Sequence, residues 1–290
     1  MSENSPVLGI IGGSGLYQFP GLTDTAQVEV ETPFGAPSAP VITGTLAGKR
    51  VAFLARHGLG HTLTPTEVNY RANIYALKSL GVRRVLGVSA VGSLREDYAP
   101  GHLIVPNQLI DFTRKRASSF FGEGLVAHVG VPDPFCPDFS ELTYQAISST
   151  DAMTHQGGTL VTIEGPRFST RAESHLFRSW GVSLIGMTAC PEAFLAREAG
   201  LCYATIAHVT DYDVWHQSEE PVSVEMVIQT LHRSLHIVQE AILSLLESLD
   251  AEPTCGCESS LEKALITNPS HIPPETRQRL ALLVGKYLEP

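Results

Sequence analysis

The sequence predicts an α/β fold, a single domain with a central mixed β-sheet flanked by helices. Three observations carry that prediction. Short runs rich in Val and Ile recur without polar alternation, helical segments with legible ends lie between them, and 290 residues at 43% hydrophobic content suffice for one large core. The apolar runs fall at 7–11, 51–55, 85–89, 103–105, 160–163, 184–187 and 202–209. Unbroken apolar character marks strands covered on both faces.

The helices follow from their ends. Thr64-Pro65-Thr66-Glu67 reads as a capping box with Pro at the first helical position, and Gly81 closes that helix. Thr170-Arg171-Ala172-Glu173 repeats the device with Gly181 as its stop, and Pro191 and Gly200 bracket a third helix. After Pro221 comes the longest, with Val224, Val227, Ile228, Leu231, Leu235, Val238 and Ile242 at three- and four-residue spacing. Residues 112–137 read as a long ordered loop, and 250–274 as a connection to a last helix from 275 to about 287. No internal repeat is visible. The economical division is a catalytic domain over 1–250 and a C-terminal extension over 251–290 packed on it.

Charge narrows the function classes. With 30 acidic against 20 basic side chains the formal net charge is −10, which repels nucleic-acid phosphates and acidic membranes. The N-terminus lacks a basic region followed by an apolar run, and no stretch reaches transmembrane length; a cytoplasmic protein is expected. An anionic small substrate remains compatible, since backbone N–H groups and a few cations make a pocket locally positive.

Several strand ends carry groups suited to such a ligand. Gly12-Gly13-Ser14-Gly15 follows the first strand. It is neither a dinucleotide fingerprint nor a P-loop, and reads equally as a strand-end turn or an anion loop. Arg56-His57-Gly58 ends another strand, and Arg presents a planar fork of donors matched to phosphate. Ser89-Ala90 and Met187-Thr188 add two more junctions, at which Met187 either offers soft apolar surface to a sugar face or is a plain core residue. Thr162 to Ser169 forms a polar insertion in which Phe168 either stacks on a heterocycle or anchors the loop. Asp211 and Asp213 lie at i and i+2, so an extended backbone turns both carboxyls the same way. One donates as an acid to a ring nitrogen while the other accepts from an exocyclic amine, the complement of adenine's N7 and N6 edge. No His/Asp/Glu set with ligand spacing surrounds them, so no metal is expected.

Taken together these segments resemble the trimeric purine-nucleoside phosphorylases over about 7–242. The matching stretches are GIIGGSG at 9–15, TPFGAPSAP at 32–40, LARHG at 54–58, VNYRANIYALK at 68–78, GSLRE at 92–96, DPFCP at 133–137, TIEGPRFSTRAES at 162–174, MTACPE at 187–192 and TDYDVW at 210–215. The resemblance implies that Ser14, Arg56, His57, Ser89, Ala90 and Thr188 hold phosphate. It places Met187 against the ribose, Phe168 and Ser169 along the base, Asp211 at N7 as the catalytic acid, and Asp213 at the 6-amino group. Val224 and Val227 match an apolar pocket for a 5'-methylthio group. His128 matches a histidine lent to a neighbouring subunit, which implies a homotrimer or a dimer of trimers. The implied reaction is phosphorolysis of 5'-methylthioadenosine to adenine and 5-methylthioribose-1-phosphate, a salvage step with phosphate as co-substrate and no cofactor.

Two residues discriminate among related activities. A 6-oxopurine offers an acceptor at position 6, which a carboxylate repels, so Asp213 favours a 6-aminopurine. Val224 supplies neither donor nor acceptor for a 5'-hydroxyl and favours a thioether. A non-catalytic nucleoside-binding protein is the alternative class, and phosphate-dependent release of free base separates the two. Cys255-Gly256-Cys257 stands apart in the extension. Its thiols read as free or as a labile bridge, to each other or to Cys136, Cys190 or Cys202, and two thiols alone are too few for structural zinc.

Overall fold

The computed structural model describes residues 5–13, 16, 19–216, 223–250 and 252–288, with the side chains of 226 and 231–234 outside that set. In chain order it comprises β1 (Leu8–Gly12), β2 (Thr23–Val28), β3 (Val41–Leu46), β4 (Lys49–Ala55), α1 (Tyr70–Ser79), β5 (Arg84–Ser93), β6 (Leu103–Val105) and β7 (Gln108–Phe112). Then follow α2 (Pro137–Ser148), β8 (Thr154–Gln156), β9 (Thr159–Ile163), α3 (Arg171–Ser179), β10 (Leu184–Gly186), α4 (Ala189–Glu198), β11 (Cys202–Asp211), α5 (Val224–Ser248), α6 (Pro274–Arg279) and α7 (Ala281–Leu288).

All strands join one sheet, ordered β2-β3-β4-β1-β5-β10-β9-β7, with β11 on β5 and β6, and β8 on β6. β4, β1, β5 and β11 run parallel, so their carboxyl ends, at Ala55, Gly12, Ser93 and Asp211, open on one side. β10 is antiparallel to β5 and carries the chain back past it into α4. The sheet is mixed, as predicted, and every residue of β1 and β11 is buried.

Four strands escaped the sequence reading. β2 is mostly exposed, with Thr23, Asp24 and Gln27 in it, and so lacks the apolar run that marks a covered strand. β3, β7 and β8 are short, polar or interrupted by Gly44. The first helix also begins later than predicted. Thr64 N–H and Oγ1 both donate to Glu67, but they stabilise a turn; the N-cap is Asn69, which accepts from the Ala72 N–H at 3.2 Å. Thr170 and Glu173 do form a complete capping box. The last helix is two, broken at Leu280.

Two large apolar clusters flank the sheet. One gathers Ile74 and Leu77 of α1 and Leu195 of α4, and it takes in Leu261, Ile272, Leu280 and Val284 from the extension. The other packs Val238, Ile242 and Leu245 of α5 against Phe139 and Ile147 of α2. The apolar periodicity of α5 beyond Leu235 is thus its core face.

Candidate active site

The strand ends converge where the sequence places its ligand groups. Ser89 on β5 and Thr188, the N-cap of α4, bring their hydroxyls to 3.1 Å of each other. Thr188 makes no capping bond with its side chain, so that hydroxyl stays directed at Ser89. Two hydroxyls at a helix N-terminus, with Ala90 next along the strand, form an anion-suited corner. Ser14 lies outside the described residues.

Arg56 leaves β4 into the interior and is only 2% exposed. Its Nε and Nη2 donate to Glu192 Oε2 and Oε1 at 2.8 and 2.9 Å, Nη1 to the Val88 carbonyl, and Nη2 also to the Ile11 carbonyl. The planar fork thus faces Glu192, and of the five guanidinium hydrogens one on Nη1 is left without a described partner. Burial alone would lower the Arg56 pKa; the Glu192 charge and hydrogen bonds overcome it and hold the guanidinium protonated above its ordinary value. Tyr203 Oη adds a third bond to Glu192 at 2.8 Å.

His57 is half-buried and stacked on His61, with ring centroids 4.4 Å apart. Its Nδ1 lies 3.0 Å from the Leu63 carbonyl, which can only accept, so Nδ1 carries the proton and Nε2 presents a lone pair. Burial first, then the Arg56 charge, push its pKa down to about 4. The ring is therefore neutral at pH 7, an acceptor at Nε2 rather than a cation.

Asp211 ends β11 and Asp213 lies in the turn that follows. Asp211 Oδ2 accepts from Thr210 Oγ1 at 2.7 Å and Oδ1 from the Asp213 N–H at 2.8 Å. Burial raises its pKa to about 6, and the Asp213 charge adds to that. Asp213 takes a left-handed backbone, φ 52°, in the turn after β11, so the extended i, i+2 geometry expected from the sequence does not hold; the turn instead brings the Asp213 N–H onto Asp211 Oδ1. A Cβ on Gly92 would fall 2.9 Å from Asp211 Oδ1 and 3.0 Å from Ile185 Cγ2, so a glycine there leaves the Asp211 carboxyl its room. Burial raises the Asp213 pKa, and the nearby Ser174 and Ser169 hydroxyls pull it back. Yet Asp213 Oδ2, Ser169 Oγ and Ser174 Oγ are all buried with no partner in good hydrogen-bond geometry. Orphaned polar atoms in a native interior call for an explanation, and a ligand edge supplies one.

Two loops, around Gly165 and Met187, meet beside these groups. Gly165, at φ +65°, lies so close to Met187 that an added Cβ would sit 2.6 Å from the sulfur. Phe168 is half-buried, its carbonyl accepting from Arg167 at 3.0 Å. Arg116, from the loop after β7, ties these pieces together. Its guanidinium donates to the Met187, Cys190 and Glu164 carbonyls at 2.7, 2.6 and 2.8 Å and to Tyr70 Oη at 3.1 Å.

Not every predicted residue joins this cluster within one chain. Val224 opens α5 and is 62% exposed, and Val227 is half-buried. His128 is exposed, and its N–H donates to the Ala264 carbonyl of the extension. Glu192, Arg116 and Ser174 were not singled out from sequence. Glu192 had a signal, a lone carboxylate within the otherwise apolar 189–196 stretch, whereas nothing distinguishes Arg116 from Arg114 and Lys115 beside it.

Comparison with known proteins identifies the family of the chain. The Phosphorylase superfamily model matches residues 7–247. The S-methyl-5'-thioadenosine phosphorylase of Geobacter sulfurreducens is 53% identical over 283 residues, covering 97% of this chain and 99% of that one. A methylthioadenosine phosphorylase from an antarctic soil metagenomic library superposes with TM-score 0.92 at 47% identity, covering 99% and 100% of the two chains. The methylthioadenosine phosphorylase from Schistosoma mansoni in complex with adenine gives TM-score 0.79 at 36% identity over 97% and 98%.

Proposed function

The chain belongs to the phosphorylase superfamily, and from that membership we infer that it cleaves 5'-methylthioadenosine with inorganic phosphate. It is a pentosyltransferase of purine and methionine salvage, releasing adenine and 5-methylthioribose-1-phosphate. The single observation that carries the substrate assignment is the Asp211–Asp213 pair, buried at the end of β11 with Asp213 Oδ2 unpartnered.

The chemistry follows from the environments of these groups. Adenine leaves poorly as an anion, so a proton or strong hydrogen bond at N7 lowers the barrier. With a pKa raised to about 6, Asp211 keeps a proton far more readily than an ordinary carboxyl and acts as that acid. Asp213 accepts from the 6-amino group, and Ser169 and Phe168 line the base.

Phosphate lies between the Ser89–Thr188 hydroxyls, the Ala90 backbone, the α4 N-terminus and the Arg56-His57 turn. The neutral His57 accepts at Nε2 a hydrogen bond from the one proton of hydrogen phosphate. Because Glu192 balances Arg56, the attacking anion keeps its charge for the oxocarbenium-like sugar. Met187 supports the ribose, and Val224 and Val227 accept the methylthio group. No cofactor enters the scheme.

A homotrimer, alone or paired, completes the site through His128 of a second copy. The exposed Val126 and Val131 on either side of His128 support burial of that segment against a neighbour. Among the described residues no helix is long and apolar enough to cross a membrane, in keeping with a cytoplasmic location.

The test is adenine release from 5'-methylthioadenosine with and without phosphate. Release only with phosphate, together with 5-methylthioribose-1-phosphate, is expected. Phosphate-independent release indicates a hydrolase, and binding without turnover a nucleoside-binding protein.

A further inference from the structure

Four cysteines that are far apart in sequence meet at one point. Cys136 caps the start of α2, Cys202 opens β11, and Cys255 and Cys257 come from the extension. Their Sγ atoms all lie within 4.8 Å of one another, with Cys202 and Cys255 at 3.1 Å. Cys190 stands apart in the active-site wall, beside Thr162.

We propose that these four thiolates form a tetrahedral structural site for a zinc ion, which clamps the C-terminal extension to the body of the domain. The donor set is complete: four sulfurs fill every position of a closed zinc site and leave none open for chemistry. The sulfurs, 3.1 Å apart for Cys202 and Cys255 and all within 4.8 Å, bracket the spacing of ~3.8 Å that Zn–S bonds of about 2.3 Å at tetrahedral angles set, so Cys202 and Cys255 part slightly on binding. Binding releases one proton from each thiol, so Zn²⁺ and four thiols give a tetrathiolate of net charge −2 and four protons.

The surroundings suit that charge. Arg197 Nη1 lies 3.4 Å from Cys257 Sγ, and Cys136 sits at the N-terminus of α2, where the helix dipole favours a negative charge. Lys78 and Arg83 line the cleft beside Cys202 and Cys255, which is also the route by which an ion enters. Donors to thiolate sulfur and nearby cations are what hold and orient such ligands. Two disulfides would account for pairs of sulfurs, yet they do not require all four to converge. The convergence is therefore better matched to a single ion.

The clamp has a structural consequence. It links α2 and β11, the strand that leads into the two aspartates, to the extension, whose Ala264 carbonyl accepts from His128. Fixing the extension fixes the segment that carries His128.

Metal analysis of the full-length protein, purified without chelator or added metal, is expected to find about one zinc per chain. A mercurial should release it, and cobalt substitution should give the sulfur-to-metal charge-transfer and visible bands of a tetrahedral thiolate. Cys190→Ser should keep the zinc, and Cys255→Ser combined with Cys257→Ser should lose it. Two results overturn the proposal. One is zinc-free protein, refractory to zinc, whose intact mass is lower by about 2 Da for each sulfur–sulfur bond formed. The other is four freely titrating thiols in protein that takes up no zinc when the ion is supplied. Neither readout depends on the double variant folding, since both are made on the unaltered protein.

Discussion

Arg56 and Glu192 face each other through two hydrogen bonds, at 2.8 and 2.9 Å, with side chains 2% and 0% exposed. The pair joins the end of β4 to α4 beneath the phosphate corner. Removing one partner strands a buried charge, so Glu192→Ala should lose ~3–5 kcal/mol in denaturant unfolding. Glu192→Gln should lose less, and an unchanged midpoint for Glu192→Ala would refute the enclosure of the pair.

Asp211 predicts the pH profile. With its folded pKa raised to about 6, the acid form is abundant below that value and declines above it. The kcat/KM for 5'-methylthioadenosine should therefore fall on the alkaline side, approaching tenfold per pH unit above about 6. Asp211→Asn should abolish that limb and reduce kcat/KM by ~10²–10⁴-fold. A limb that persists in the variant assigns it to another group.

Glu198 predicts a stability trend. Burial raises it to about 7, only partly countered by bonds from the Phe120 N–H and Ser119 hydroxyl. The folded protein thus holds a proton that the unfolded chain releases nearer pH 4.3, and stability falls as pH rises from about 4.3 to 7. Asp211 acts in the same direction between about 3.9 and 6. His57, pushed down to about 4, opposes both between about 4 and 6.5, so the Glu198 contribution is read by difference. Thermal midpoints of the wild type should decline relative to those of Glu198→Gln as pH rises across the window, most clearly above about 6.5. An unchanged slope in that variant would refute the assignment.

Asp213 sets the choice of base. Asp213→Asn should lower kcat/KM for methylthioadenosine relative to methylthioinosine by ~10–100-fold, because the amide presents a donor to a 6-oxo group. An unchanged ratio between the two nucleosides removes the argument from Asp213.

Arg116 positions rather than reacts. Its bonds to the Met187, Cys190 and Glu164 carbonyls hold the two loops on the ribose side. Arg116→Met should raise KM for the nucleoside by ~10-fold or more through lost orientation, with KM for phosphate less affected. Arg116→Lys should recover little, since an ammonium lacks the planar fork. Equal changes in both KM values would indicate general unfolding instead.

The mixed sheet, the helix stops at Gly81 and Gly181, and the aspartate pair were legible because each depends on neighbours in sequence. Strand burial shows as an unbroken apolar run and a capping box as a four-residue spacing, while the two carboxyls show as residue types two apart whose joining turn at Asp213 the sequence does not reveal. β2 escaped because an exposed edge strand needs no apolar pattern. Arg116 escaped because its partners lie 46 to 74 residues away.

Local chemistry therefore determined the fold class and the residue types offered at each strand end, including the Asp211–Asp213 motif first read as an adenine edge. Tertiary structure decided what those residues face. It turned the fork of Arg56 onto Glu192, left Asp213 Oδ2 without a protein partner, and gathered Cys136 and Cys202 around the Cys255–Cys257 pair. Two thiols in the sequence were too few for a metal; four in space are enough. The physical reason is that a charge's partner and a metal's ligands are chosen by distance through space, which only the folded sheet sets.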